Sequence, residues 1–154
     1  MTTQARTTPT NALPPSIERV LTRFRSLPRE EKMQLLVQYS KKLEPVPERF
    51  QELPTGQFAV PECQTPVEIF PEVRPDGTIH FYADVNCRQS PTVGAFLAIV
   101  FGAINDQLPA VTLAIPDDFV QQVMSGIGLA AREAGLNAMV ARLKRYAAEA
   151  ASQT

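Results

Sequence analysis

Tryptophan is absent from this 154-residue chain, histidine occurs once, at His80, and cysteine twice, at Cys63 and Cys87. A single histidine excludes a metal centre built on a His cluster. Two cysteines are too few for a disulfide framework or for a four-thiolate zinc or iron–sulfur site. Excess charge of either sign is also lacking: 15 Lys plus Arg face 16 Asp plus Glu, a net charge of −1. No global field draws such a chain onto nucleic acid or an anionic membrane. The longest apolar run, Val93–Ile104, is twelve residues with two glycines, against the roughly 18 that a spanning helix needs. The seven glycines never form the GxGxxG or GxxxxGKS/T pattern of a phosphate loop.

What is present is ordinary for one globular domain: 44% hydrophobic and 20% charged residues, in a length that can enclose a core without disulfides or metal. The opening MTTQARTTPTNALPP is rich in Thr and Pro, carries the single charge Arg6 and has no apolar stretch. It lacks the apolar segment of a secretory signal and the amphipathic face of a transit peptide. Residues 1–15 read as a disordered tail, 16–150 as one domain and 151–154 as a second short tail. No internal repeat is found. The free thiols and the missing leader fit a cytoplasmic protein.

Local signals give an α+β order. Ser16 is placed to cap a helix over 17–26, with Ile17, Val20, Leu21 and Phe24 on its apolar face. Pro28 opens a second helix over 29–43 with Met33, Leu35, Leu36, Tyr39 and Leu43 as its stripe, and the two helices are expected to form an antiparallel pair. Glu44–Pro66 contains Pro45, Pro47, Pro54, Gly56, Pro61 and Pro66, so it reads as loop with one helical turn near 48–53. A short strand is expected at 57–61. Val67–Val73 and Thr78–Ala83 then flank Arg74-Pro75-Asp76-Gly77, a hairpin signal. Ser90-Pro91 begins a buried helix over 91–104, an amphipathic turn follows near 116–124, and a last helix covers 134–150 with Leu136, Met139, Val140, Leu143 and Tyr146 inward. The architecture is helices packed on a small antiparallel sheet formed around 57–83.

Few residues offer chemistry. His80 lies mid-strand in I-H-F-Y, where alternation with Ile79 and Phe81 turns it to solvent. The pairs Glu30-Glu31 and Asp117-Asp118 stand near helix starts, where negative charge complements the macrodipole. Cys63, in V-P-E-C-Q-T-P-V, lies at the end of a Pro-rich loop just before a strand; the flanking prolines stiffen the loop and discourage burial in a ladder. A thiol on such a tip can be handed to a partner, although free cysteine is more often a small buried hydrophobe. Cys87 lies between the second strand and the buried helix. Arg88 and the helix N-terminus favour its thiolate there, but a passive thiol is the plainer reading, with a resolving cysteine as the sharper one.

Three blocks in order across residues 17–150 resemble the SufE family of sulfur-acceptor proteins. L-P-R-E-E-K-M-Q-L-L at 27–36 is similar to the family's W-E-E-K opening of its second helix, V-P-E-C-Q-T-P-V at 60–67 to V-x-G-C-Q-S-x-V, and R-E-A-G-L-N-A-M at 132–139 to R-x-x-G-L-x-x-M. The apolar helix G-A-F-L-A-I-V-F at 94–101 also matches. The departures are Glu62 for the glycine before the cysteine, Thr65 for serine, Glu68 for an aromatic, and Asp84-Val85-Asn86 where the family shows D-S-D, followed by a segment about two residues longer. Glu62 beside the thiol opposes the anion that must attack.

The resemblance implies a SufE-like fold and a sulfur carrier that is not itself an enzyme. Cys63 would take a persulfide sulfur from a pyridoxal-phosphate cysteine desulfurase and pass it to an iron–sulfur cluster scaffold. Arg132, Gln64 and Asp84 would support it, with no resident cofactor or metal. The residues by themselves leave three alternatives: a thiol enzyme with His80 as base for Cys63, a cluster scaffold, which would want a third cysteine, and a non-catalytic interaction module.

Overall fold

The computed structural model describes residues 13–53, 56–128 and 130–153. The proposed tail therefore lies, up to residue 12, outside the described residues. In order the elements are α1 (Pro15–Arg25), α2 (Arg29–Ser40), α3 (Glu48–Gln51), β1 (Val67–Val73), β2 (Ile79–Val85), α4 (Pro91–Ile104), α5 (Pro109–Leu113), α6 (Phe119–Met124) and α7 (Ala130–Ser152). The fold is α+β.

α4 is the axis of the core. Its sequence is apolar all round, and such a helix must be enclosed on every side. Every residue from Val93 to Ile104 except Gly102 is buried. α1, α2 and β2 pack against it, while α7 packs on α5, α6 and β1. Ile17, Leu21 and Phe24 of α1, and Leu136, Met139, Val140, Leu143 and Tyr146 of α7, all turn into the core.

β1 and β2 form an antiparallel hairpin running from Val67 opposite Val85 to Val73 opposite Ile79. Gly77 at φ 89° supplies the left-handed turn conformation. A lone hairpin is marginal in water, and this one is held by packing on α4 and by extra backbone pairing. Asn105 mimics a strand at the free edge of β2: its Oδ1 accepts from the Phe81 amide at 2.8 Å and its Nδ2 donates to the Phe81 carbonyl at 3.2 Å.

Several expectations are corrected. Ser16 does not cap α1: the helix begins at Pro15, and Ser16 Oγ instead donates to the Ala103 carbonyl at 2.7 Å. α1 and α2 do not pair lengthwise. Each gains more by covering the apolar surface of α4, and their ring contact is Phe24 with Tyr39, centroids 6.3 Å apart. α2 ends at Ser40, and its inward face differs from the apolar stripe, because Met33 is 44% exposed while Lys32 is 3% exposed. The strand expected at 57–61 is one isolated bridge, Ala59 opposite Glu68, since the prolines and turns around it leave no room for a longer ladder. α5 is an additional helix, and α7 starts earlier than expected and runs on to Ser152, so residues 151–152 are not tail.

His80 is also inward, not solvent-facing. It is 8% exposed, its Nε2 lies 2.6 Å from Glu44 Oε1 and its Nδ1 lies 2.9 Å from Asp106 Oδ1. The two carboxylates satisfy a buried polar ring that simple strand alternation would have turned outward.

Candidate functional site

The segment carrying Cys63 is irregular but tightly held. The Val60 amide donates to the Val67 carbonyl at 2.9 Å, and the Cys63 amide donates back to the Val60 carbonyl at 3.2 Å, closing a turn before β1. Arg142, reaching from α7, donates to the Ala59 carbonyl at 2.9 Å. Past the cysteine, Thr65 Oγ1 and the buried Ser90 Oγ share a hydrogen bond at 2.7 Å, tying the loop to the start of α4. Four backbone and side-chain bonds thus fix a loop whose prolines already limit its conformations.

Cys63 itself is partly exposed and lies over α7 at Gly135. A Cβ on Gly135 would meet Cys63 Cα at 3.3 Å and Sγ at 3.4 Å. The glycine is what lets the thiol settle on the helix. A glycine within a helix costs about 1 kcal/mol relative to alanine, so its position calls for a packing reason, and the cysteine is that reason. In the sequence the helix reads from 134, so Gly135 stands at its start and gives no signal of the shelf.

Of the four proposed site residues, three share one surface. Cys63, Gln64 and Asp84 line an open cleft of about 510 Å³ with Val60, Val67 and Val85 among its apolar walls and Glu68 at its edge. Gln64 and Asp84 are exposed. Glu62 points to solvent, and Glu68 Oε2 accepts from the Gly56 amide at 3.3 Å. Arg132 does not line this cleft. It is exposed on α7, three residues before Gly135, about 4.5 Å along the axis on the same helix face. Among the described residues it makes no ion pair or hydrogen bond.

Cys87 is differently placed. It is partly exposed at the edge of a neighbouring cleft of about 450 Å³, which shares Glu68, Asp84 and Val85 with the first. Its sulfur presses on α4: a Cβ on Gly94 would fall 2.5 Å from Cys87 Sγ. Burial pushes this thiol above its ordinary value, against the expectation that Arg88 and the helix N-terminus would favour the thiolate. The desolvation of a packed sulfur outweighs an exposed guanidinium in water.

His80 lines a separate cleft with Tyr39, Glu44 and Asp106, and no residue of that cleft lines the one at Cys63. With both ring nitrogens engaged by carboxylates it is not disposed as a base for the thiol. No group of three or more metal-binding side chains occurs among the described residues, and none of their helices is long and apolar enough to cross a membrane.

Comparison with known proteins gives one consistent result. The family model for SufE, a Fe-S metabolism associated domain, matches residues 18–147. Two uncharacterized SufE-like proteins from two strains of Mycobacterium tuberculosis are each 30% identical over 146 residues, 90% of this chain and 96% of theirs. The solution structure of a hypothetical protein from Thermus thermophilus is similar with a TM-score of 0.72 at 28% identity, covering 92% of this chain and 99% of that one.

Proposed function

The chain belongs to the SufE family, whose domain is associated with Fe-S metabolism, and from that premise we propose that it is a sulfur acceptor working through Cys63. The observation that carries the reading is the seating of Cys63: a partly exposed thiol on a pinned loop, resting on Gly135 and opening on a cleft. The Cys63 thiolate attacks the terminal sulfur of a persulfide on a pyridoxal-phosphate cysteine desulfurase. One sulfur–sulfur bond forms as another breaks, the desulfurase cysteine leaves as a thiolate, and no net oxidation or reduction occurs.

The loaded Cys63 persulfide then passes its outer sulfur to an iron–sulfur cluster scaffold by the same exchange. Such a carrier has no turnover of its own; it works in the cytoplasm by relieving its partner of sulfur. Access and a fixed position are what the step requires of this chain, and a cation nearby favours the thiolate and the anionic persulfide. The exposed guanidinium of Arg132, one turn from Gly135, is suited to that part, with Gln64 and Asp84 shaping the rim that meets the partner.

The test adds the protein to its desulfurase with free cysteine and follows alanine release. Wild type and Cys87→Ser stimulate release; Cys63→Ser does not. Full stimulation by Cys63→Ser overturns the assignment. Each substitution exchanges one sulfur for oxygen, and circular dichroism checks that the variants remain folded.

A further inference from the structure

α2 turns a lysine into the protein while Met33 beside it stays 44% exposed. Lys32 is 3% exposed, and its ammonium donates to the Ser125 carbonyl at 2.8 Å, with Ser125 Oγ at 3.5 Å. Among the described residues no carboxylate pairs with it. One turn earlier on α2, Arg29 donates to the Gly126 carbonyl at 3.1 Å. Two cations three residues apart therefore grip consecutive carbonyls of the loop between α6 and α7. Desolvation lowers the lysine's pKa, as a buried ammonium without a counter-ion requires. Burying a charge to hold a main-chain oxygen is costly.

Ile127 of this loop is buried in the core, and the glycines on either side of it set the loop's course. Gly126 and Gly128 stand at φ 84° and 72°, and a Cβ on either would meet nothing within 4 Å. Beside the loop is an open cleft of about 300 Å³, lined by Ser125, Gly126 and Gly128 and by Glu133 and Leu136 of α7. Leu136 is the residue after Gly135, on which Cys63 rests. The loop thus lies beside the turn of α7 that carries the shelf.

From this we infer that Lys32, assisted by Arg29, is a positioning residue for Cys63: it pins the Ser125–Gly128 loop and so sets the height and angle of the α7 shelf beneath the thiol. The inference rests on the sulfur-acceptor reading for its purpose and not for its geometry. It links the block containing Lys32 to the loop that precedes the block starting at Arg132.

The test is site-resolved alkylation of the full chain. Cys63 and Cys87 are labelled with iodoacetamide well below the unfolding midpoint, and each rate is read by peptide mass spectrometry. In Lys32→Met, which keeps the length of the side chain and removes the charge, Cys63 labelling rises about threefold or more while the Cys87 rate stays unchanged. Arg29→Ala, at an exposed position, gives a smaller change in the same direction. Gly126→Ala, whose φ suits no Cβ although the space around it is free, reproduces the Lys32→Met effect even if that variant fails to fold. With the desulfurase present, the plateau of stimulated alanine release falls in Lys32→Met, while the carrier concentration giving half stimulation does not. An unchanged Cys63 rate in the folded variants overturns the inference, as does an equal rise at both thiols, which marks general loosening. If wild type fails to stimulate the desulfurase, the functional reading is lost, and the labelling rates still decide the positioning role.

Discussion

Each cysteine of this protein meets a glycine in a helix, and the two pairs are built to opposite ends. At Cys87 the fit to Gly94 is tight enough that a Cβ would fall 2.5 Å from the sulfur, and burial raises the thiol. At Cys63 the approach to Gly135 is looser, 3.3 to 3.5 Å, and the sulfur stands at the edge of an open cleft. The first arrangement uses sulfur as a packing atom, the use to which most free cysteines are put. The second uses glycine to bring a loop close to a helix while leaving the thiol reachable. Proximity to a helical glycine is therefore no mark of reactivity; both thiols are partly exposed at clefts, and what separates the two is the closer packing of the Cys87 sulfur on its helix and the desolvation that raises it.

That contrast is broken most strongly at Gly94. Gly94→Ala forces its new methyl onto Cys87 Sγ and costs about 1–3 kcal/mol of stability, the range typical of overpacking a core. Part of the loss returns when Cys87→Ala is added, a coupling that a double-mutant cycle in denaturant measures directly. Full additivity would show that the sulfur does not occupy the site where Gly94 admits it.

Gly135→Ala sharpens the other side. Alanine gains about 1 kcal/mol in helix propensity over glycine, which offsets the crowding of Cys63, so the melting temperature moves little. Sulfur acceptance in the desulfurase assay falls about tenfold, equivalent to about 1.4 kcal/mol in the transfer barrier, because the thiol is displaced from its cleft. Stability and transfer thus separate at Cys63 where they coincide at Cys87.

The smallest effect is in alkaline solution. Cys87 is an acid held above its ordinary value of 9.0 in the folded state. The unfolded chain therefore releases that proton first, and stability declines as pH rises from 9.0 toward the folded value. Lys32, lowered from 10.5 by desolvation, works the other way, adding stability as pH rises from its folded value to 10.5. Urea unfolding across this range shows the decline lessened in Cys87→Ala and the gain removed in Lys32→Met.

Where side-chain periodicity decides structure, the sequence was legible. The limits of α4, the hairpin around Gly77 and the inward face of α7 all follow from apolar spacing and turn residues. Inversions were not. Lys32 and His80 lie inside because distant groups, the Ser125 carbonyl in one case and the Glu44 and Asp106 carboxylates in the other, satisfy them there. No local pattern encodes a partner 93 residues away. The site divides in the same way. Cys63 is marked by its flanking prolines and by its motif, whereas the contact that makes Gly135 a shelf exists only once α7 is folded against the loop.

The central claim, that accessible seating and not cysteine content directs sulfur to one position, is tested most directly by mass spectrometry of the protein after incubation with its desulfurase and free cysteine. The account predicts a gain of sulfur on the peptide carrying Cys63, with the Cys87 peptide unmodified. A persulfide on Cys87, or no persulfide on Cys63 while alanine release is stimulated, would contradict it.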